Sequence, residues 1–564
     1  MPQHLNDTHT KSLYFLLLSL GVSVSVNGQD TKEGKIKTDD IEIIKETKVT
    51  LNQANRIFEK IYTNKMSEAK KPIRYEFVER KMPIETPEFS PIVLMPNKTD
   101  ASNNDYSEKY HNVVRVGIGN YGHTFLEGHG GILTAKDNYH GIYIKHNAFR
   151  TGPVAATYSG QSQNQIRVHS RTSFNNVKLD GALGWERRGF DYYAAYIPNI
   201  INAPESAFYN SWNKFSFIGN INNINKTAKV DYTFKSNLAY LTSRLKANEL
   251  VWKGELQGVY PLTEQLSAVL DANVMLSQRQ DSTTLYRNLY KLRPTFQFKA
   301  NTFSVTAGIN VVNDREKTTF NNSYLYPVLK VDVQPMEGIK VYAGYEGDVH
   351  ANTLTSLLSE NQWIARFTPL RNTRKLADIY LGGRANLANG LTIEVKGSYA
   401  SYKDFYVFTN SKADSSRFDV LYSDDTTKVR VTNVSGQVSY QIPQIWKTNF
   451  KFDVNMYSNL GNLKEPWHLP FFNATWNNTF TIREKLYVSS DWYVISGLKG
   501  KNAQSDQEVK LKPIIDLNLK FTYLLSDHWD VFVSANNILN KSYQRYLYYP
   551  TQAVNFLGGM SYSF

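Results

Sequence analysis

Hydrophobic and polar residues alternate one for one along much of this chain. Near its end Ile515, Leu517, Leu519, Phe521 and Tyr523 alternate with Asp516, Asn518, Lys520 and Thr522, and the last residues set Met560, Tyr562 and Phe564 against Ser561 and Ser563. A repeat of two, rather than 3.6, belongs to a β-strand with one apolar and one polar face. The rhythm recurs at Leu391, Ile393 and Val395, and at Phe450, Phe452, Val454 and Met456. Runs of roughly ten residues exceed the usual strand of a soluble sandwich and match what a tilted strand needs to cross a bilayer. The pattern predicts an all-β fold, a transmembrane antiparallel β-barrel with its apolar face to lipid and its polar face to a lumen.

Short turn-forming pairs divide the alternating segments. They fall at Asp137-Asn138, Asn175-Asn176, Asn225-Lys226, Thr263-Glu264, Asn301-Thr302, Glu337-Gly338, Asn389-Gly390, Pro443-Gln444, Glu484-Lys485 and Ser526-Asp527. Their spacing of about 36 to 54 residues fits two membrane strands plus one longer outer loop. With both chain ends periplasmic, ten such turns give about 22 strands, within a range of about 18 to 24. The outer loops then lie near 202–212, 350–368, 410–425 and 459–470. Tyr209, Trp212, Trp363, Trp467 and His468 fall in them, as ligand or partner contacts or as ordinary loop packing.

The beginning of the chain differs in character. Lys11 precedes an apolar run over 13–26, too short to span a bilayer, and the polar Gln29-Asp30 follows Asn27-Gly28. Residues 1–28 therefore read as a secretory signal peptide cleaved after about Gly28, with an N-terminal anchor as the alternative. Residues 29–110 are charged and punctuated by Pro72, Pro83, Pro87, Pro91 and Pro96. One short amphipathic helix over 51–62 and mostly irregular structure are expected there, in the periplasm or filling the lumen. Residues 111–564 form the outer-membrane barrel.

Composition agrees with export to an outer membrane. Aromatic residues make up 13% of the chain and Tyr alone numbers 37, although the mean hydropathy is negative. That mixture suits barrels, where half of each strand faces water and aromatic rings belt the interfaces. The chain has no cysteine, which excludes disulfides, thiolate metal sites, cysteine nucleophiles and a lipoprotein anchor. The formal charge of +13 comes from Lys and Arg spread along the whole chain, so lumen, loop and interface positions account for it and nucleic acid is not an expected partner.

The run from Trp529 to Tyr543, placed before a terminal strand ending in Phe564, resembles the penultimate strand and loop of TonB-dependent outer-membrane receptors. That resemblance implies a barrel of about 22 strands that imports large ligands and is gated by an N-terminal plug. Porins share the strand and its Asn-rich exit turn. The segment Val114-Arg115-Val116-Gly117-Ile118-Gly119-Asn120-Tyr121-Gly122, following a Pro-rich lead-in, is similar to the first strand of a plug-less group of such barrels in Gram-negative bacteria. The resemblance covers the lead-in, this strand and the C-terminal strands, while the middle agrees only in rhythm. Residues 29–110 are too few for the family's globular plug, and 41–46 is at best a faint echo of an energy-coupling box. Gly117, Gly119 and Gly122 also fit bulge or close-approach positions of any barrel strand.

Candidate chemistry is sparse. His123, His129 and His140 sit on glycine-rich strand and turn sequence without metal-ligand spacing, Gly117-Ile118-Gly119 opens no helix, and neither Asn104-Asp105 nor Asp424-Asp425 belongs to a twelve-residue calcium loop. No catalytic, cofactor or metal residue is assigned, and an enzyme is not expected. The expected partners are outer-membrane lipids and a surface lipoprotein or other outer-membrane subunits, with an energy-coupling protein left open. An unplugged barrel of this size would leak, so residues 29–110, inward-folded loops or a separate protein must fill the lumen. The expected function is ligand binding or transport across the outer membrane, with a partner; the alternative is a structural or accessory subunit of an outer-membrane assembly or secretion machine.

Overall fold

The computed structural model describes residues 112–564 except 136–137, 155, 195–207, 226–227, 317–318 and 388–389. The expected signal peptide, the segment 29–110 with its helix at 51–62, the coupling-box echo at 41–46 and Asn104-Asp105 lie outside the described residues. So do Asp137, Lys226, Asn389 and the 202–207 part of one expected outer loop.

Each alternating segment cannot satisfy its backbone groups alone, and in lipid no water does it instead, so a spanning sheet must close. Here 22 antiparallel strands form one sheet, and the first, Val113–Gly119, pairs both with His123–Ala135 and with the last, Asn555–Ser563. Strand lengths run from 7 residues in Val113–Gly119 to 17 in Phe320–Met336. One rim carries ten short connections, and every one falls at a turn pair anticipated from the sequence; the other rim carries eleven connections, among them the long ones at 351–372, 404–428, 459–471, 497–513 and 537–554. By that asymmetry the short-turn rim is periplasmic and the long loops are outside.

Period two sets the faces. On Ile514–Leu524, Asp516, Asn518, Lys520 and Thr522 are buried toward the lumen, whereas Phe521 and Tyr523 are exposed. Ile118 is 76% and Leu381 62% exposed on the same outer surface, which in a bilayer is the hydrocarbon side.

The closing seam depends on glycine. A Cβ on Gly119 would lie 2.1 Å from the Phe556 carbonyl oxygen, and one on Gly559 would lie 2.1 Å from that of Val116. The register runs unbroken from Val113 opposite Ser563 to Gly119 opposite Leu557, so close approach rather than a bulge explains Gly119. Gly122 has φ of +60° in the turn Asn120–Gly122, a conformation that glycine adopts without steric cost.

One boundary differs from expectation. Tyr209 and Trp212, anticipated in an outer loop, belong to the strand Tyr209–Asn223, whose ladder begins with Tyr209 opposite Asp191. Trp212 is buried against the lumen side, with the Arg188 guanidinium 5.5 Å from its ring. Its alternation is short and polar at the outer end, so the sequence there resembles a loop.

Candidate functional site

The long outer loops fold inward and pack on one another as a cap. In the loop 351–372, Thr353 starts the helix Leu354–Glu360 by accepting from Ser356 N–H at 3.1 Å, while the Ser356 hydroxyl accepts from Thr353 N–H at 2.9 Å. Leu354, Leu357 and Leu358, spaced for one helical face, are buried. The wall holds this loop from below. Glu249 accepts from Leu354 N–H, Thr355 N–H and the Thr355 hydroxyl, each at 2.7 Å. Arg287 donates to the Asn352 carbonyl at 3.0 Å, and Arg279 donates to that of Thr368. These are charge-assisted bonds across buried surface, the stronger class of hydrogen bond.

A second piece is the hairpin Tyr406–Asn410 with Phe418–Tyr422, in which Val407 and Phe418 have no exposed surface. Its Tyr406 hydroxyl donates to Glu360 at 2.6 Å. The loop 537–554 supplies Tyr546, whose hydroxyl donates to the Glu360 carbonyl at 2.8 Å, and Tyr549, which stacks on Trp363 at 3.8 Å. Trp363 also donates to the Asp191 carbonyl at 3.1 Å.

His468 joins three loops. Its Nδ1 lies 2.8 Å from the Phe408 carbonyl and its Nε2 accepts from Leu547 N–H at 3.1 Å, so Nδ1 carries the proton. Burial holds its pKa down at about 3, and the ring stays neutral. Trp467 donates to the Leu463 carbonyl at 2.8 Å within a neighbouring apolar cluster that includes Val407 and Leu469. Trp363 and His468 both pack against Tyr546 in the cap, and both Trp467 and His468 are packing residues, 4% and 1% exposed.

Beneath the cap is a cavity of about 300 Å³, walled by the strands around the seam and roofed by residues from 358–363 and 543–553. Arg115 pairs with Glu127 at 3.1 Å, and the Tyr143 hydroxyl donates to Glu127 at 3.0 Å. The Tyr543 hydroxyl donates to Asp516. His123 lines this cavity, 2.7 Å from Asn147 Oδ1 and stacked on Phe149 at 4.0 Å. His129 instead stacks on His169 with ring centres 5.7 Å apart. His140 lies on the opposite face of the sheet, alternating like the exposed Ile142, with Nδ1 2.8 Å from the Ser170 hydroxyl. The three histidines therefore share no site, and among the described residues no group of three acidic or histidine side chains is placed to hold a metal. Asp424 accepts from Thr426 and Thr427 within its own turn, at 2.9 and 2.7 Å. Those bonds hold its carboxyl below the usual carboxylate range.

Sequence reasoning missed the wall residues Glu249, Arg279 and Arg287. Each occupies an ordinary polar position of an alternating strand, and nothing local separates it from its neighbours.

No protein-family profile and no curated protein matches the chain. Solved structures do. The FrpB iron transporter of Neisseria meningitidis (F3-3 variant) is 12% identical, with a TM-score of 0.62 over 81% of this chain and 81% of that one. The siderophore receptor PiuA of Acinetobacter baumannii is 8% identical, with a TM-score of 0.60 over 80% and 82% of the two chains. Fiu, the ferric-catecholate import receptor of E. coli K12, is 9% identical, with a TM-score of 0.59 over 80% and 82%. Likeness at such identities is a likeness of fold. The chain is a 22-stranded, multi-pass barrel of the cell outer membrane with the architecture of these receptors.

Proposed function

We propose that this barrel binds a ligand beneath its outer cap and passes it across the outer membrane with the help of a partner. The observation that carries this reading is the cavity of about 300 Å³ between inward-folded loops and the lumen wall, lined by polar and aromatic side chains. A barrel serving only as a docking surface has no need of a cavity beneath its outer loops. The solved barrels of the same architecture are named as an iron transporter, a siderophore receptor and an import receptor, which supports a transport role without fixing the cargo.

In this reading residues 1–28 are a signal peptide, 29–110 a periplasmic or lumen-filling segment without the plug of the family it resembles, and 111–564 the barrel. Inward-folded loops close the mouth from outside. A surface lipoprotein or another outer-membrane subunit engages the long-loop rim, and no enzymatic step is involved. Growth of a deletion strain on single nutrients tests the proposal. A defect confined to one nutrient supports transport, whereas a general envelope defect with normal uptake would replace it with a structural role in an outer-membrane machine. That second role draws on the cap itself, whose packed interior, with Phe418 fully buried, makes a firm outer platform.

A further inference from the structure

On the lipid side of the wall, across the strands from Phe320–Met336 to Val429–Ile442, lies a hollow of about 680 Å³. Its lining is apolar almost throughout, with Leu329, Ile379, Leu381, Tyr399 and Val434 exposed around it. Gly397 stands in register between Leu381 and Val434, and a Cβ on it would meet nothing within 4 Å, so the missing side chain leaves the hollow open.

The same register leads from the hollow to the outer end of the wall. Tyr399 stands opposite Thr432, and the next pair on that face is Ser401 opposite Arg430. Arg430 therefore lies two residues beyond the hollow, about 7 Å along the strand. Lys403 continues the face by alternation, because Ala400 and Tyr402 are buried toward the lumen. Lys428 just precedes the strand, and both it and Arg430 are exposed. Among the described residues none of these three cations pairs with a carboxylate. The acids of the adjoining loops are engaged elsewhere: Asp404 lies 2.7 Å from Arg374, Asp425 lies 4.0 Å from Arg371, and Asp424 accepts from Thr426 and Thr427.

A cation on the outside of a membrane barrel is tolerated near the interface, where it meets headgroups rather than hydrocarbon. Three of them together attract an anion, and a guanidinium matches the oxygens of a phosphate. The hollow beneath them takes hydrocarbon, since water inside it would find no hydrogen-bond partners. One molecule that satisfies both has an anionic head and an apolar chain. We propose that this face holds an anionic, phosphate-bearing lipid of the outer leaflet, with its phosphate at Lys403, Lys428 and Arg430 and an acyl chain over Gly397. The site is separate from the cavity under the cap and does not depend on what that cavity carries.

The mature full-length protein, purified in detergent and freed of lipid, is titrated with phosphorylated lipid A and with its dephosphorylated form, and retention is read by native mass spectrometry. Lipid A is expected to stay bound where the dephosphorylated form does not. Lys403→Gln, Lys428→Gln and Arg430→Gln combined should weaken retention about a hundredfold, at about fivefold per cation. Gly397→Leu, which fills the hollow, should weaken it severalfold, and both variants should retain the heat-modifiable mobility of a folded barrel. Equal retention of the dephosphorylated form, or full retention in either folded variant, overturns the proposal. The chain has no cysteine, so Tyr399→Cys carries a single photo-crosslinker into the hollow. In intact cells it should label lipid; labelling of a protein there assigns the face to a partner subunit and overturns the lipid site.

Discussion

At the scale of single residues, three side-chain positions decide whether the mouth stays shut and the barrel stays closed. Glu249 satisfies two backbone donors at the start of a helix too short to be stable alone. Glu249→Gln keeps the shape but removes the charge from those bonds, which costs about 2 kcal/mol. Hydrogen exchange over 351–372 should then rise more than about tenfold while the strands remain protected. Unchanged exchange there would mean the apolar face alone holds the helix.

His468 makes the cap sensitive to acid. Its pKa is about 3 when buried, against 6.5 as a free imidazole, so below pH 6.5 the opened cap takes up a proton that the closed cap refuses. The stability from this site is complete above pH 6.5 and declines as pH falls toward 3, by on the order of 1.4 kcal/mol per pH unit. Protection of the cap amides, corrected for intrinsic exchange, should decline in that window and lose much of its slope in His468→Gln. Gly119→Val places a side chain on the Phe556 carbonyl, beyond the about 1–3 kcal/mol of ordinary overpacking. It should abolish the heat-modifiable form, whereas Gly258→Ala, with open space around it, should keep it.

At the scale of elements, the cap behaves as a small core built on the rim of another structure. Phe418 lies 5.3 Å from both His468 and Tyr546 and 5.9 Å from Tyr549, ring centre to ring centre, so one side chain ties the hairpin to two further loops. Phe418→Ala should cost the cap about 3–5 kcal/mol. Limited proteolysis within 351–372 and 404–428 should accelerate, with the barrel's own melting transition unmoved. A parallel loss of barrel stability would show that cap and wall fold as one unit.

At the scale of the molecule, closure is a property of the ring and not of any strand. The ladder that Val113–Gly119 makes with Asn555–Ser563 is short beside that between Thr284–Lys299 and Leu266–Gln280, and it lies beside the cavity. The mature protein in planar bilayers should show no stable, very large pore, because the mouth is covered. Replacing 351–372 by a short Gly/Ser connector should produce large conductance steps if these loops are the principal barrier. Small steps in that variant would assign the barrier to residues 29–110 or to another protein.

What the sequence determined by itself is local and repetitive. The two-residue period separates lipid face from lumen face, and the ten turn pairs count the strands, because both follow from backbone geometry that neighbouring residues alone satisfy. Glu249 and Leu354, or Phe408 and His468, do not announce one another. They come together only when the sheet closes and its shear sets which loop hangs over which wall, so the cap and the cavity are decided by tertiary structure.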